Sequence, residues 1–170
     1  MIVEESHVRM LFRVALFLAL LAALAPTAAL AADTRQGTTI EIGPNEVVND
    51  DLYVVGSTIV IHGQINGDVF AVGQSVTIDG PVRGDVFAAG QSVTVGGSVG
   101  GSVYAAGSTV ALAGPVNGSV RAAGSTVTEA GMVQGDLIAA GSTVALSAAA
   151  QLESARIELT ERKRKEYFSA

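Results

Sequence analysis

The chain has no cysteine and no tryptophan among its 170 residues. Without cysteine there are no disulfides, no thiolate nucleophiles and no thiolate metal sites. Histidine is almost missing: there are two, His7 and His62, and His7 falls in an N-terminal leader. One remaining imidazole cannot build a His pair or a Ser/His/Asp set, which leaves zinc and nucleophilic chemistry without their groups. Aromatics make up 5% and charged residues 15%, against 49% hydrophobic residues. That mixture is too apolar for disorder and too poor in large side chains for an ordinary globular core. It suits a narrow core of small aliphatics. With only 4 prolines beside 20 glycines, and no Gly-X-Y period, a collagen-like chain is excluded as well.

What is present begins with an apolar run, Val14 to Ala25, preceded by Arg9 and Arg13 and followed by Pro26. Its 12 residues are short for a bilayer span and right for the core of a signal peptide. Ala29 and Ala31 supply an A-x-A site, so cleavage is expected between Ala31 and Ala32, with 1–31 as signal peptide. An uncleaved anchor is the alternative. Glu4 and Glu5 offset the two arginines, a feature that a start at Met10 would remove. The protein is therefore expected to be exported, to the cell envelope or beyond it.

Aligned on its glycines, the rest of the chain resolves into six gapless units of 17 residues starting at Asn49, Asn66, Arg83, Gly100, Asn117 and Gln134. Seventeen residues are too few for two packed helices, and each unit alternates with period 2, as strands do. Read down the units, Leu52, Val69, Val86, Val103, Val120 and Leu137 form one inward column. Ile59, Val76, Val93, Val110, Val127 and Val144 form a second, and Ile65, Val82, Val99, Val116, Val133 and Ala150 close a third side. A glycine recurs at one corner, Gly56 to Gly141, where a left-handed or crowded backbone favours it. The expected organisation is a lead-in with a partial capping turn over 32–48, with Ile40 and Ile42 inside, a six-turn triangular coil over 49–150, and a charged tail over 151–170. At about 4.8 Å per turn the six units would make a rod on the order of 29 Å long.

The stretch "NGDVFAVGQSVTIDGPVRGDVFAAGQSVTVGGSV" resembles the bactofilins, polymer-forming cytoskeletal proteins of prokaryotes, over residues 49–150. The resemblance implies an all-β, right-handed parallel β-helix that assembles end to end without nucleotide, a scaffold and not an enzyme, with no cofactor. The export signal sets this chain beside envelope-associated relatives that share the repeat. The trimeric acyltransferases also use triangular β-helices, but theirs are left-handed with six-residue units and a catalytic histidine on an inserted loop. Here the period is 17 and no loop is inserted.

Four features are candidate sites. Tyr53, Phe70, Phe87 and Tyr104 stack at one outward position of the first four units, continued by Arg121. They form a candidate lateral contact strip for another filament, a membrane surface or the chain's own tail, or else a purely structural ladder. Asp51, Asp68 and Asp85, followed by Ser102, Ser119 and Asp136, offer either a calcium edge or ordinary turn residues that accept backbone amides. The outward hydroxyls Thr58, Ser75, Ser92, Thr109, Thr126 and Thr143 raise the alternative function of an ice-binding or adhesive surface module. Val60, Ala111 and Ala145 interrupt the second row of such an array. Arg162, Lys163, Arg164 and Lys165 are the only basic cluster, a candidate contact for a membrane surface or cell wall polymer, with a solvated end as the bland reading. A glycan-active β-helix would need long loops carrying clustered acids, and there are none.

Net charge is −2 over 32–48, −5 over 49–150 and +1 over 151–170. An acidic rod is a poor partner for nucleic acid. Two local expectations follow. Residues 152–168 should form a short helix or irregular extension over one end of the coil, with Leu152, Ile157 and Leu159 turned inward. Glu129 stands in the inward column otherwise filled by Ile61, Ile78, Val95, Leu112 and Leu146. A bulge over Thr128 to Gly131 is expected to turn it to solvent, because an unpaired carboxylate in so narrow a core is costly.

Overall fold

The computed structural model describes residues 32–146 and the backbone of 152–159. Every regular element among them is a strand: β1 (Ala32–Ile42), β2 (Val47–Val48), β3 (Asp51–Ile61), β4 (Gln64–Ile65), β5 (Val69–Ile78), β6 (Val86–Val95), β7 (Val103–Leu112), β8 (Val120–Glu129), β9 (Val133–Leu146) and β10 (Leu152–Leu159). Eight of them form one sheet in the order β1-β3-β5-β6-β7-β8-β9-β10, and every pairing is parallel. A parallel ladder between consecutive strands joined by so few residues is possible only if the chain coils, so the fold is a β-solenoid of about seven turns.

In β3 and β5 to β8 the inward positions change parity across the central glycine, as from Val69 and Ala71 to Val76 and Ile78, so each of these strands lines two sides of the coil. Single parallel bridges, Ile65 to Val82, Val82 to Val99, Val99 to Val116 and Val116 to Val133, build the third side. The three inward columns meet in one narrow aliphatic core, and the β-branched residues in it are almost wholly buried. At roughly 1.5–3 kcal/mol per fully buried aliphatic side chain, this core is what holds the rungs together.

The corner glycines are explained by crowding. Among the described residues no glycine has a positive φ. A Cβ at Gly124 would instead stand 2.5 Å from the carbonyl oxygen of Gly107, one rung below, and one at Gly107 would stand 2.6 Å from that of Gly90. The backbone of each rung rests on the glycine of the next.

The 17-residue step holds from β3 to β9, as in Leu52 beside Val69 and Val127 beside Val144. The coil also runs past residues 49–150 at both ends. β1 pairs with β3 over its whole length at a step of 19, Ala32 beside Asp51 and Ile42 beside Ile61. The two extra residues sit in the turn Gly43–Glu46, closed by the Glu46 amide donating to the Gly43 carbonyl at 3.0 Å. The lead-in is thus a full rung, and Ile40 and Ile42 are buried in it as expected.

The helix or irregular extension expected over 152–168 is corrected: Leu152–Leu159 is a further strand on β9. Its register slips between Leu152 and Ser154, and Leu159 lies beside Gly141, so neither the period nor the corner glycine survives to mark it. Backbone pairing carries the rung on without them. The inward placement of Leu152, Ile157 and Leu159 lies outside the described side chains.

Candidate functional site

Strands fix where the outward residues go. On the side formed by the first half of each long strand, the rings of Tyr53, Phe70, Phe87 and Tyr104 stack at centroid spacings of 4.6, 4.7 and 4.7 Å. Their planes lie within 3° of parallel. That spacing is the rung spacing itself, so the in-register ladder alone places the rings face on face. Both faces of Phe70 and of Phe87 are therefore covered by neighbouring rings.

Arg121 ends the row, its guanidinium carbon 5.4 Å from the Tyr104 centroid and its Nη1 donating to the Tyr104 hydroxyl at 3.2 Å. Two residues along each strand the outward side chains shrink from Val72 to Ala89 and Ala106. With Phe70, Phe87, Tyr104 and Arg121 they line an open apolar groove of about 380 Å³. Its surface can take apolar contact along its length and a hydrogen-bond acceptor at the Arg121 end; no pair of reactive groups lies in it.

The Asp and Ser column along the next edge has a definite task. The amide of Asp68 donates to Asp51 Oδ1 at 2.9 Å, that of Asp85 to Asp68 Oδ1 at 2.8 Å, and that of Ser102 to Asp85 Oδ1 at 2.7 Å. Ser119 and Asp136 continue the series, donating to the hydroxyls of Ser102 and Ser119 at 3.2 Å. Each side chain satisfies an amide at a corner of the next rung, where the ladder is interrupted. This supports the reading of these residues as amide acceptors. Among the described residues no three His, Cys, Asp or Glu gather as a metal would require.

The hydroxyl column is in register from Thr58 to Thr143 and none of its members is buried. Val60, Ala111 and Ala145 break its companion row. His62 is exposed, with Nδ1 3.6 Å from Asp79 Oδ2, itself exposed. At the β1 end, Arg35 donates to Asp33 Oδ2 at 2.8 Å and also to Glu46, tying that edge strand to the Gly43–Glu46 turn. The Arg35 hydrogen bond holds the Asp33 carboxyl below its ordinary range, and burial opposes this only in part. The basic cluster Arg162, Lys163, Arg164 and Lys165 lies outside the described residues, as does the Val14–Ala25 run. No helix among the described residues is long and apolar enough to cross a membrane.

Glu129 is the correction that matters. It does occupy the inward column, beside Leu112 on one rung and Leu146 on the next, and it is 0% exposed. No bulge interrupts β8, whose register runs unbroken through Thr128 and Glu129. The backbone ladder on both sides outweighs the cost of one polar side chain, so the chain meets that cost by local hydrogen bonding. The Gly131 amide donates to Oε1 at 2.9 Å, while Oε2 has no partner. Burial pushes the carboxyl up to about 7, against the lowering effect of the Gly131 and Ala130 amides. The neighbouring columns show the position to be inward; what sequence reasoning missed is that the strand keeps its register.

No family model, no curated protein and no solved structure matches the chain.

Proposed function

We propose that this chain is a bactofilin-like, non-enzymatic scaffold that self-associates end to end into filaments at the cell envelope, without nucleotide or metal. The observation that carries the reading is the open sheet. In the described residues β1 and β10 are edge strands, each pairing on one side only. An edge of this kind is a template for another strand, and a solenoid that adds identical rungs can add another molecule in the same way. The acidic balance of the coil argues against nucleic acid. The leader-like segment over 1–31 supports an exported, envelope location, where the basic cluster at 162–165 would meet anionic lipid or wall polymer.

The test is electron microscopy with light scattering on the purified chain. Filaments are expected in buffer free of nucleotide and divalent metal, and they should be lost when proline replaces Thr34 and Gln36 in β1, since proline cannot donate to a ladder. Monomers alone at high concentration would remove the proposal. The ice-binding alternative is weakened by the interrupted hydroxyl rows, and a thermal-hysteresis measurement separates the two.

A further inference from the structure

The buried carboxyl of Glu129 has no counterpart elsewhere in the coil: among the described residues it is the one polar or charged side chain in the core. Among the described residues its partners on the adjoining rungs are apolar, Leu112 on β7 and Leu146 on β9, and the buried core of these rungs also holds Val116, Val127 and Val133. No titratable or charged side chain described on β7, β8 or β9 faces it. Arg121 and Asp136, the charged residues of these rungs, stand at exposed positions. One oxygen is bonded to the Gly131 amide and the other to nothing. A neutral carboxyl fits such a place; a carboxylate does not.

Glu129 is also unevenly placed along the coil. Among the described residues, β1, β3, β5, β6 and β7 stack without interruption toward the N-terminus, whereas β9 and β10 follow toward the C-terminus. The core thins there, since Val144 and Leu146 are only partly buried. In a solenoid each rung touches only its neighbours, so opening from the near end disturbs the fewest contacts.

We propose that Glu129 is a proton-controlled latch on the C-terminal rungs: β9 and β10 stay closed over it while its carboxyl is neutral, and loss of that proton opens the coil from this rung to its C-terminal end. The proton leaves to water as the carboxyl is exposed, so one proton is released per opening. Because this concerns the coil alone, it stands apart from the filament proposal.

Native-state hydrogen exchange on the full chain reads the latch, each amide corrected for its intrinsic rate. Release of one proton per opening makes the opening constant of the β9 amides rise about tenfold per pH unit between roughly 5 and 7, levelling above. Amides of β5 and β6 that exchange through openings leaving β8 closed should show no such slope. In Glu129→Gln, which carries no charge at any pH, the β9 slope should vanish. A β9 opening constant independent of pH in the natural chain, or a slope that persists in Glu129→Gln, overturns the proposal. Should Glu129→Gln fail to fold, infrared spectroscopy of the unaltered chain decides. The carbonyl stretch of a protonated carboxyl should persist at pH 6, where ordinary glutamates are ionised, and its absence there would overturn the latch equally.

Discussion

The first four regular rungs and the two that follow share one backbone and differ in almost everything hung on it. From β3 to β7 the outward column is four stacked rings, and the core column beside the corner runs Ile61, Ile78, Val95, Leu112. In β8 and β9 the same outward column holds Arg121 and Ile138, and the core column holds Glu129 and a half-covered Leu146. Yet the step between rungs stays at 17 residues throughout β3 to β9. The lesson is a division of labour. The ladder and the glycine corners hold the geometry, and the side-chain columns set how firmly each rung is held.

The most damaging way to break this contrast is to give the first region the feature of the second. Val95→Glu puts the same carboxyl in the same column, between fully packed rungs on both sides, and is expected to cost about 4 kcal/mol near neutral pH. Urea unfolding followed by circular dichroism measures it.

The converse change should strengthen the second region. Glu129 has its folded pKa raised from 4.5 to about 7. A raised carboxyl contributes its stability in full below the unfolded value and loses it as pH climbs through the folded one. Each tenfold change in proton affinity is worth about 1.4 kcal/mol, so the natural chain is expected to lose about 3 kcal/mol between pH 4.5 and 7 and little beyond. Glu129→Leu should be flat over that interval, so its advantage in urea unfolding should be larger at pH 8 than at pH 4 by that same amount.

Two smaller tests act on the outward columns. Phe87→Ala removes a ring stacked on both sides and is expected to cost about 2 kcal/mol, whereas Arg121→Phe extends the stack by a fifth ring and should gain about 1 kcal/mol. Thermal melts of the two variants read both. Last, Asp85→Ala leaves the Ser102 amide without its acceptor, a loss of about 1 kcal/mol at most. Faster exchange at that single amide would show it, with the rings unaffected.

The columns were legible because a repeat without gaps prints its own alignment: every buried residue from Leu52 to Val133 falls where period 2 and a step of 17 put it. The amide-accepting role of Asp51, Asp68 and Asp85 was legible as a type of contact, although its partner one rung away needed the fold. The end rungs were hidden for a different reason. β1 and β10 pair at steps of 19 and 18 once the register settles, and backbone hydrogen bonding tolerates that without leaving a side-chain signature. Glu129 departs from the local rule that carboxylates avoid apolar cores, because the ladder gains on both neighbouring rungs by staying straight.

The equal step from rung to rung has a consequence for how such a molecule changes size. Excising residues 83–99 would join Val82 to Gly100, and Phe70 would then lie beside Tyr104 with every column still continuous. No residue inside the repeat records how many copies surround it. Length is thus open to gain or loss of whole units by duplication and deletion of coding segments, while anything the flat sides recognise keeps the same spacing.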